Sequence, residues 1–149
     1  MIIYLDFDGV IFDTVSIILD LMKKKNISFE DDCSTFFREL DWEYILNNSI
    51  EINNSVDFIK NSNKNIKILT HVSSISEMKN KIEFINDKIG NIEIICVPKS
   101  IKKSLVVSSK NNILIDDSKK NISDWISNGG EGILFDSKKD NLRFLIEGR

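Results

Sequence analysis

Apolar residues in this chain gather into short runs separated by longer amphipathic or polar stretches. Residues 2–7 (IIYLDF) form a branched and aromatic run closed by Asp8-Gly9, which predicts a buried strand ending at a turn. Over residues 14–25 the apolar positions Val15, Ile18, Leu19 and Met22 have helical spacing. Residues 26–35 are polar and acidic and read as a loop. The aromatic-rich stretch 36–46 (FFRELDWEYIL) reads as helical, and another helix is expected around 54–60. Three further apolar runs, 66–70 (IKILT), 92–97 (IEIICV) and 113–116 (ILID), predict strands, and a fifth is expected at 133–135. Between them, helices are expected over 76–89, with Ser76 as N-cap and Gly90 as stop, and over 121–128, closed by Gly129-Gly130. Residues 98–110 are basic and mixed.

Strands that alternate with helices imply a Rossmann-like, doubly wound parallel sheet covered on both faces, an α/β fold. The stretch from about 14 to 55 is long for one crossover. It is read as an insertion, a small helical cap, within a single domain spanning 1–149. No internal repeat interrupts this scheme.

Composition narrows the function classes. The 149 residues are 42% hydrophobic and 29% charged, ordinary values for a globular chain that needs no disulfide or metal merely to fold. The net charge of -3 gives no reason to expect a nucleic-acid polymer or an anionic membrane as partner. Cys33 and Cys96 form no CxxC pair and are read as reduced thiols. The apolar start lacks a basic n-region and stops at Asp6, and no run approaches the ~18 residues of a membrane helix. The expectation is a cytoplasmic protein.

The polar residues that matter fall at predicted strand ends, where open parallel sheets bind ligands. Asp6 and Asp8 follow the first strand, Thr70 ends the second, and Asp116 and Asp117 end the fourth. Carboxylates gathered at one point repel one another and are tolerable as anions around a divalent cation. Oxygen ligands without a His/Cys cluster favour magnesium over zinc. A carboxylate can also attack phosphorus and form an aspartyl-phosphate. Thr70 and a lysine among Lys99, Lys102 and Lys103 suit the oxygens of a transferring phosphoryl group. His71, the only histidine, stands beside Thr70 as a further candidate phosphate contact, with a structural role as the plainer reading. Each residue alone has such a reading: helix cap, turn or solvated face. An EF-hand is excluded, because the DxDG lacks that motif's spacing and its closing Glu.

The segment LDFDGVIFDT resembles the first motif of the haloacid dehalogenase (HAD) superfamily. ILT at 68–70 resembles the second motif, and ILIDD at 113–117 the fourth. Lys103 fits the third-motif lysine best by its distance ahead of ILIDD, with Lys102 and Lys99 as alternatives. The resemblance implies a HAD fold and a magnesium-dependent phosphomonoester hydrolase. In it Asp6 would be nucleophile and metal ligand. Asp8 would be general acid and base, with its backbone carbonyl on magnesium. Asp116 would be the third protein ligand, Asp117 would orient water on the metal, and Thr70 and Lys103 would hold the phosphoryl group. An acid at position 8 implies turnover by hydrolysis.

The tail DDSKKNISDWISNGGEGILF and the segment FFRELDW at 36–42 are similar to the 5'(3')-deoxyribonucleotidase group and its small bacterial and phage relatives. That similarity implies a nucleoside monophosphate as substrate. Phe12, Phe36, Phe37, Trp42 and Tyr44 are aromatics that could stack a base. The alternatives are a HAD phosphatase for another small ester and a non-catalytic phosphate-binding or signalling module. A receiver-type module would carry its acid pair after the first strand and its phospho-acceptor after the third, yet the third run here ends in Val97-Pro98 without an acid.

Overall fold

Five parallel strands carry the fold in a computed structural model describing residues 1–149. They are β1 (Ile3–Leu5), β2 (Ile66–Val72), β3 (Ile94–Pro98), β4 (Ile113–Asp116) and β5 (Glu131–Leu134), side by side in the order β3-β2-β1-β4-β5. The helices are α1 (Thr14–Lys24), α2 (Ser34–Arg38), α3 (Trp42–Asn48), α4 (Ser55–Asn61), α5 (Ile75–Lys88), α6 (Lys103–Val106), α7 (Lys119–Ser127) and α8 (Leu142–Ile146). This is the Rossmann-like α/β architecture that the alternation of runs predicts. No helix is long and apolar enough to cross a membrane.

Both faces of the sheet are apolar because both are covered. Ile3, Leu5, Ile68, Ile113 and Ile115 face a core shared with Met22, Trp42, Ile45, Phe58 and Ile85. Tyr4, Leu69, Val97 and Leu114 alternate with them and meet Ile122 and Trp125 of α7 on the other side. The period of two along each strand thus divides the side chains between two layers. Helices α1 to α4 lie between β1 and β2. Their buried side chains, Phe36, Leu40 and Leu46 among them, belong to the same core as β1.

Several boundaries differ from the sequence reading, for local reasons. The stretch 36–46 is two helices, because Asp41 takes an extended backbone (φ −80°, ψ 91°) and caps α3 by accepting from the Tyr44 N–H at 3.1 Å. Helix α5 starts one residue early: Ser74, not Ser76, is the cap, its hydroxyl accepting from the Glu77 N–H at 3.0 Å. Helix α7 likewise starts at Lys119 behind a Ser118 cap. Strand β2 runs two residues past Thr70, because His71 and Val72 pair with Val97 and Pro98. Strand β3 starts at Ile94, and β5 is displaced toward the N-terminus, to Glu131–Leu134. The short helices α6 and α8 have too few residues to show a period.

Candidate active site

The site forms where the chain changes direction across the sheet. From β1 it moves outward through β2 to β3, then returns to β1's other side for β4 and β5. Strands β1 and β4 are neighbours in register, Ile3 with Ile113 and Leu5 with Ile115. Their next residues, Asp6 and Asp116, therefore emerge together at the switch point, where α/β sheets place ligands. The Asp6 N–H donates to the Ile115 carbonyl at 2.9 Å, which extends the pairing by one residue.

Beyond Asp6 the chain turns tightly: the Val10 and Ile11 N–H groups donate to the Phe7 carbonyl at 3.3 and 3.0 Å. Gly9 has φ +77°, and a Cβ there would collide with the Asp117 carboxylate. Only glycine permits both the backbone conformation and the approach of this loop to the β4 end.

One carboxylate oxygen from each of Asp6, Asp116 and Asp117 lies within 4.8 Å of the others. Asp6 and Asp116 are buried and Asp117 is exposed. The Lys103 Nζ donates to Asp6 Oδ1 at 2.8 Å and to Asp116 Oδ2 at 2.7 Å. Asp116 Oδ2 also accepts from Asn121 Nδ2 at 2.9 Å, and its Oδ1 from the Ser118 N–H at 2.9 Å. Burial, then the Asp116 charge, push Asp6 up to about 8 against the pull of Lys103. Lost hydration, then the charges of Asp116 and Asp8, push Asp117 up to about 7. Burial disfavours the Lys103 cation, but Asp6 and Asp116 outweigh it and hold its pKa above the ordinary lysine value.

Three carboxylates against one ammonium leave a negative excess, which adds to burial in raising the pKa values of Asp6 and Asp117. The donors are all oxygen, with neither cysteine nor histidine in the group. Such a set fits a hard divalent cation.

The Asp8 carboxylate stands apart from that cluster. The Thr14 hydroxyl donates to its Oδ1 at 2.6 Å, and Lys81 Nζ donates to its Oδ2 at 2.6 Å. Of the three candidate lysines, Lys103 reaches the carboxylates. Lys102 pairs with Asp124 at 3.0 Å, and Lys99 lines the adjoining cavity. Thr70 is fully buried inside β2, and its hydroxyl accepts from Lys81 Nζ at 3.3 Å. His71 lines the cavity with its Nε2 2.8 Å from the Ile101 carbonyl, and burial lowers its pKa.

The cavity over the acids measures about 240 Å³ and includes Asp6, Asp8, Asp116 and Asp117 in its lining. Its apolar wall is Val15, Ile18, Leu19, Phe29, Phe37 and Trp42, all from the long β1–β2 connection. Among the candidate stacking aromatics, Phe37 and Trp42 border it. Phe12 is buried against Phe7 and Phe84, Phe36 is buried beside Phe37, and Tyr44 lies exposed away from the cavity lining.

Lys81, Glu77, Thr14 and Asn121 reach this constellation unanticipated. Glu77 and Lys81 are spaced i,i+4 on a helix, a pattern that ordinarily marks an exposed pair. Here both are buried, with 2.5 Å between Lys81 Nζ and Glu77 Oε2. Thr14 follows Asp8 by one tight turn and Asn121 lies in the first turn of α7, five residues after Asp116, so proximity to the two motifs was the available signal.

No family model matches the chain, and no curated protein matches it either. Among solved structures it is similar to YfnB from Bacillus subtilis, described as a HAD-hydrolase bound to magnesium. That likeness has a TM-score of 0.57 at 14% identity and covers 88% of this chain and 84% of that one. A HAD-superfamily hydrolase of subfamily IA from Geobacter sulfurreducens aligns over 88% of this chain and 84% of its own at 13% identity, with a TM-score of 0.48. The likeness to YfnB establishes a shared fold.

Proposed function

We propose that this protein is a magnesium-dependent phosphomonoester hydrolase that works through an aspartyl-phosphate on Asp6, with a nucleoside monophosphate as its substrate. The observation that carries the reading is the meeting of Asp6 with Asp116, Asp117 and Lys103 at the switch point of the sheet. The motif resemblance and the magnesium bound by the similarly folded YfnB support it.

Asp6, Asp116, Asp117 and the Asp8 backbone carbonyl would hold the cation. When bound, it would supply positive charge that offsets the carboxylates and the phosphoryl oxygens. An Asp6 oxygen attacks phosphorus in line while the bond to the leaving oxygen breaks. Asp8 gives its proton to that oxygen, and the alcohol departs. In the second step Asp8 takes a proton from water as the water oxygen bonds to phosphorus and the Asp6–phosphorus bond breaks. Lys103 balances the Asp6 and Asp116 charges, and Lys99 and His71 face the cavity where the phosphoryl oxygens would sit.

The β1–β2 connection acts as the cap over this site. Its apolar wall suits a planar, weakly polar leaving group. At about 240 Å³ the cavity is smaller than the roughly 300–1,000 Å³ of ordinary small-molecule pockets. On this reading it would hold the phosphate and sugar, with the base extending past Leu19 and Phe29, both exposed. The same small volume favours, as a second reading, a smaller phosphate ester.

The test is hydrolysis of p-nitrophenyl phosphate and a panel of phosphate monoesters with magnesium or with EDTA. Magnesium-dependent turnover is expected, with a deoxyribonucleoside monophosphate giving the highest kcat/KM. Full activity in EDTA would sink the metal assignment. A sugar phosphate preferred over every nucleotide would sink the nucleotidase assignment and leave the phosphatase.

A further inference from the structure

We propose that Lys81 is a positioning residue for the Asp8 carboxylate, fixing it for the water-activating step of phosphoester hydrolysis. The inference rests on the phosphatase reading above.

Lys81 is completely buried, and its ammonium has one neutralising partner already in Glu77, at 2.5 Å. That pair alone would satisfy the charge of a buried lysine. The second carboxylate, Asp8 at 2.6 Å, differs in kind: its side chain is 23% exposed and borders the cavity. Lys81 Nζ also donates to the His71 carbonyl at 3.1 Å and to Thr70 Oγ1 at 3.3 Å. It lies 4.5 Å from the centre of the Trp42 ring in α3. With acceptors on α5, on β2 and in the loop after β1, and an aromatic face above, the ammonium has one place to sit.

The consequence falls on Asp8. Lys81 holds Oδ2, and the buried Thr14 hydroxyl holds Oδ1 at 2.6 Å. Donors on both oxygens remove rotation of the carboxylate about its Cβ–Cγ bond. Each oxygen keeps a further lone pair, so the group still accepts a proton from water in a set direction. Misplacement of a reacting group by about 1 Å costs on the order of 100-fold in rate.

p-Nitrophenyl phosphate separates this role from a merely structural one. p-Nitrophenolate departs without protonation, so formation of the aspartyl-phosphate makes little demand on Asp8. Breakdown requires Asp8 to take a proton from water as the new oxygen–phosphorus bond forms and the Asp6–phosphorus bond breaks. The variants are Lys81→Met and the doubly substituted Lys81→Met/Glu77→Gln, which removes both buried charges and keeps the interior neutral if the single variant does not fold. The readouts, with magnesium, are the pre-steady-state rate of p-nitrophenolate release, the steady-state rate, and hydroxylamine-trapped aspartyl-phosphate. The expected result is a steady-state rate lower by about 100-fold, a release rate lowered far less, and more trapped intermediate than in wild type. Release and turnover falling in parallel, or neither falling, would overturn the proposal. A wild-type protein that never releases p-nitrophenolate would instead overturn the phosphatase reading.

Discussion

Asp6→Asn should destroy turnover and at the same time make the metal-free protein more stable. Asp6 has an ordinary pKa of 3.8 and is pushed up to about 8 in the folded chain. Below about pH 4 both folded and unfolded chains hold the proton, and the group has no effect. As pH rises from there toward 8, the unfolded chain ionises Asp6 and the folded chain resists, so stability falls. At pH 7 the loss is at most about 4 kcal/mol, about three pH units at about 1.4 kcal/mol each. Asparagine does not ionise and escapes this loss, but its amide is a weaker partner for Lys103, whose Nζ lies 2.8 Å from Asp6 Oδ1. A net gain of about 1–3 kcal/mol corresponds to a rise in Tm of roughly 3–10 °C for a chain of this size. Thermal unfolding in EDTA at pH 5, 6, 7 and 8 is the assay, with the advantage of the variant widening across the series. Magnesium should then stabilise wild type more than the variant, because the cation favours the ionised carboxylate. If Asp6→Asn melts below wild type at pH 7 in EDTA, the Lys103 ion pair outweighs the crowding and the electrostatic account is wrong.

Magnesium binding near pH 7 should release protons, since the cation displaces those held by Asp6 and Asp117; calorimetry in buffers of different ionisation enthalpy measures the number, and zero release would contradict the raised acid pKa values. Lys103→Met takes the ammonium from between the buried Asp6 and Asp116 side chains, so the metal-free protein should lose about 3–5 kcal/mol in chemical denaturation and any phosphatase activity should fall steeply. Trp42→Ala should cost about 3–5 kcal/mol of stability, because Trp42 is 3% exposed and packs in the core. Phe29, 70% exposed at the cavity edge, is the better probe of base binding. Phe29→Ala should raise KM for nucleoside monophosphates by roughly tenfold, the value of one stacking contact, with little change in inhibition by inorganic phosphate.

The strands were legible because a sheet covered on both faces needs continuous apolar runs, and such runs have few other uses in a chain this short. The acid cluster was legible for a related reason. Asp6 and Asp116 stand directly after such runs, and parallel pairing of β1 with β4 carries them to one edge. Helix starts were harder, since Ser73, Ser74 and Ser76 all qualify as caps and tertiary placement of Glu77 selects among them. The aromatics misled in part. Phe12 and Phe36 have the composition of a stacking surface but lie buried in the core, and Trp42 borders the cavity with only 3% of its surface exposed. Lys81 was hidden for the opposite reason: a charged residue four places after Glu77 looks solvated, and only the fold shows that its helix face meets Asp8.

The central position of β1 also sets when this protein can exist as a working molecule. β1 is synthesised well before one of its two neighbours, β4, which begins 110 residues later at Ile113. Contacts of such wide separation are slow to form and come late in folding. Until β4 arrives, one edge of β1 is open and Asp6 has neither Asp116 nor Lys103 beside it. Over those 110 residues of synthesis a nascent chain therefore carries Asp6 without its partners, and an unpaired apolar strand that invites association with other chains. Closure of that edge by β4 brings Asp116 and Asp117 to Asp6, so strand pairing and assembly of the acid cluster are one event.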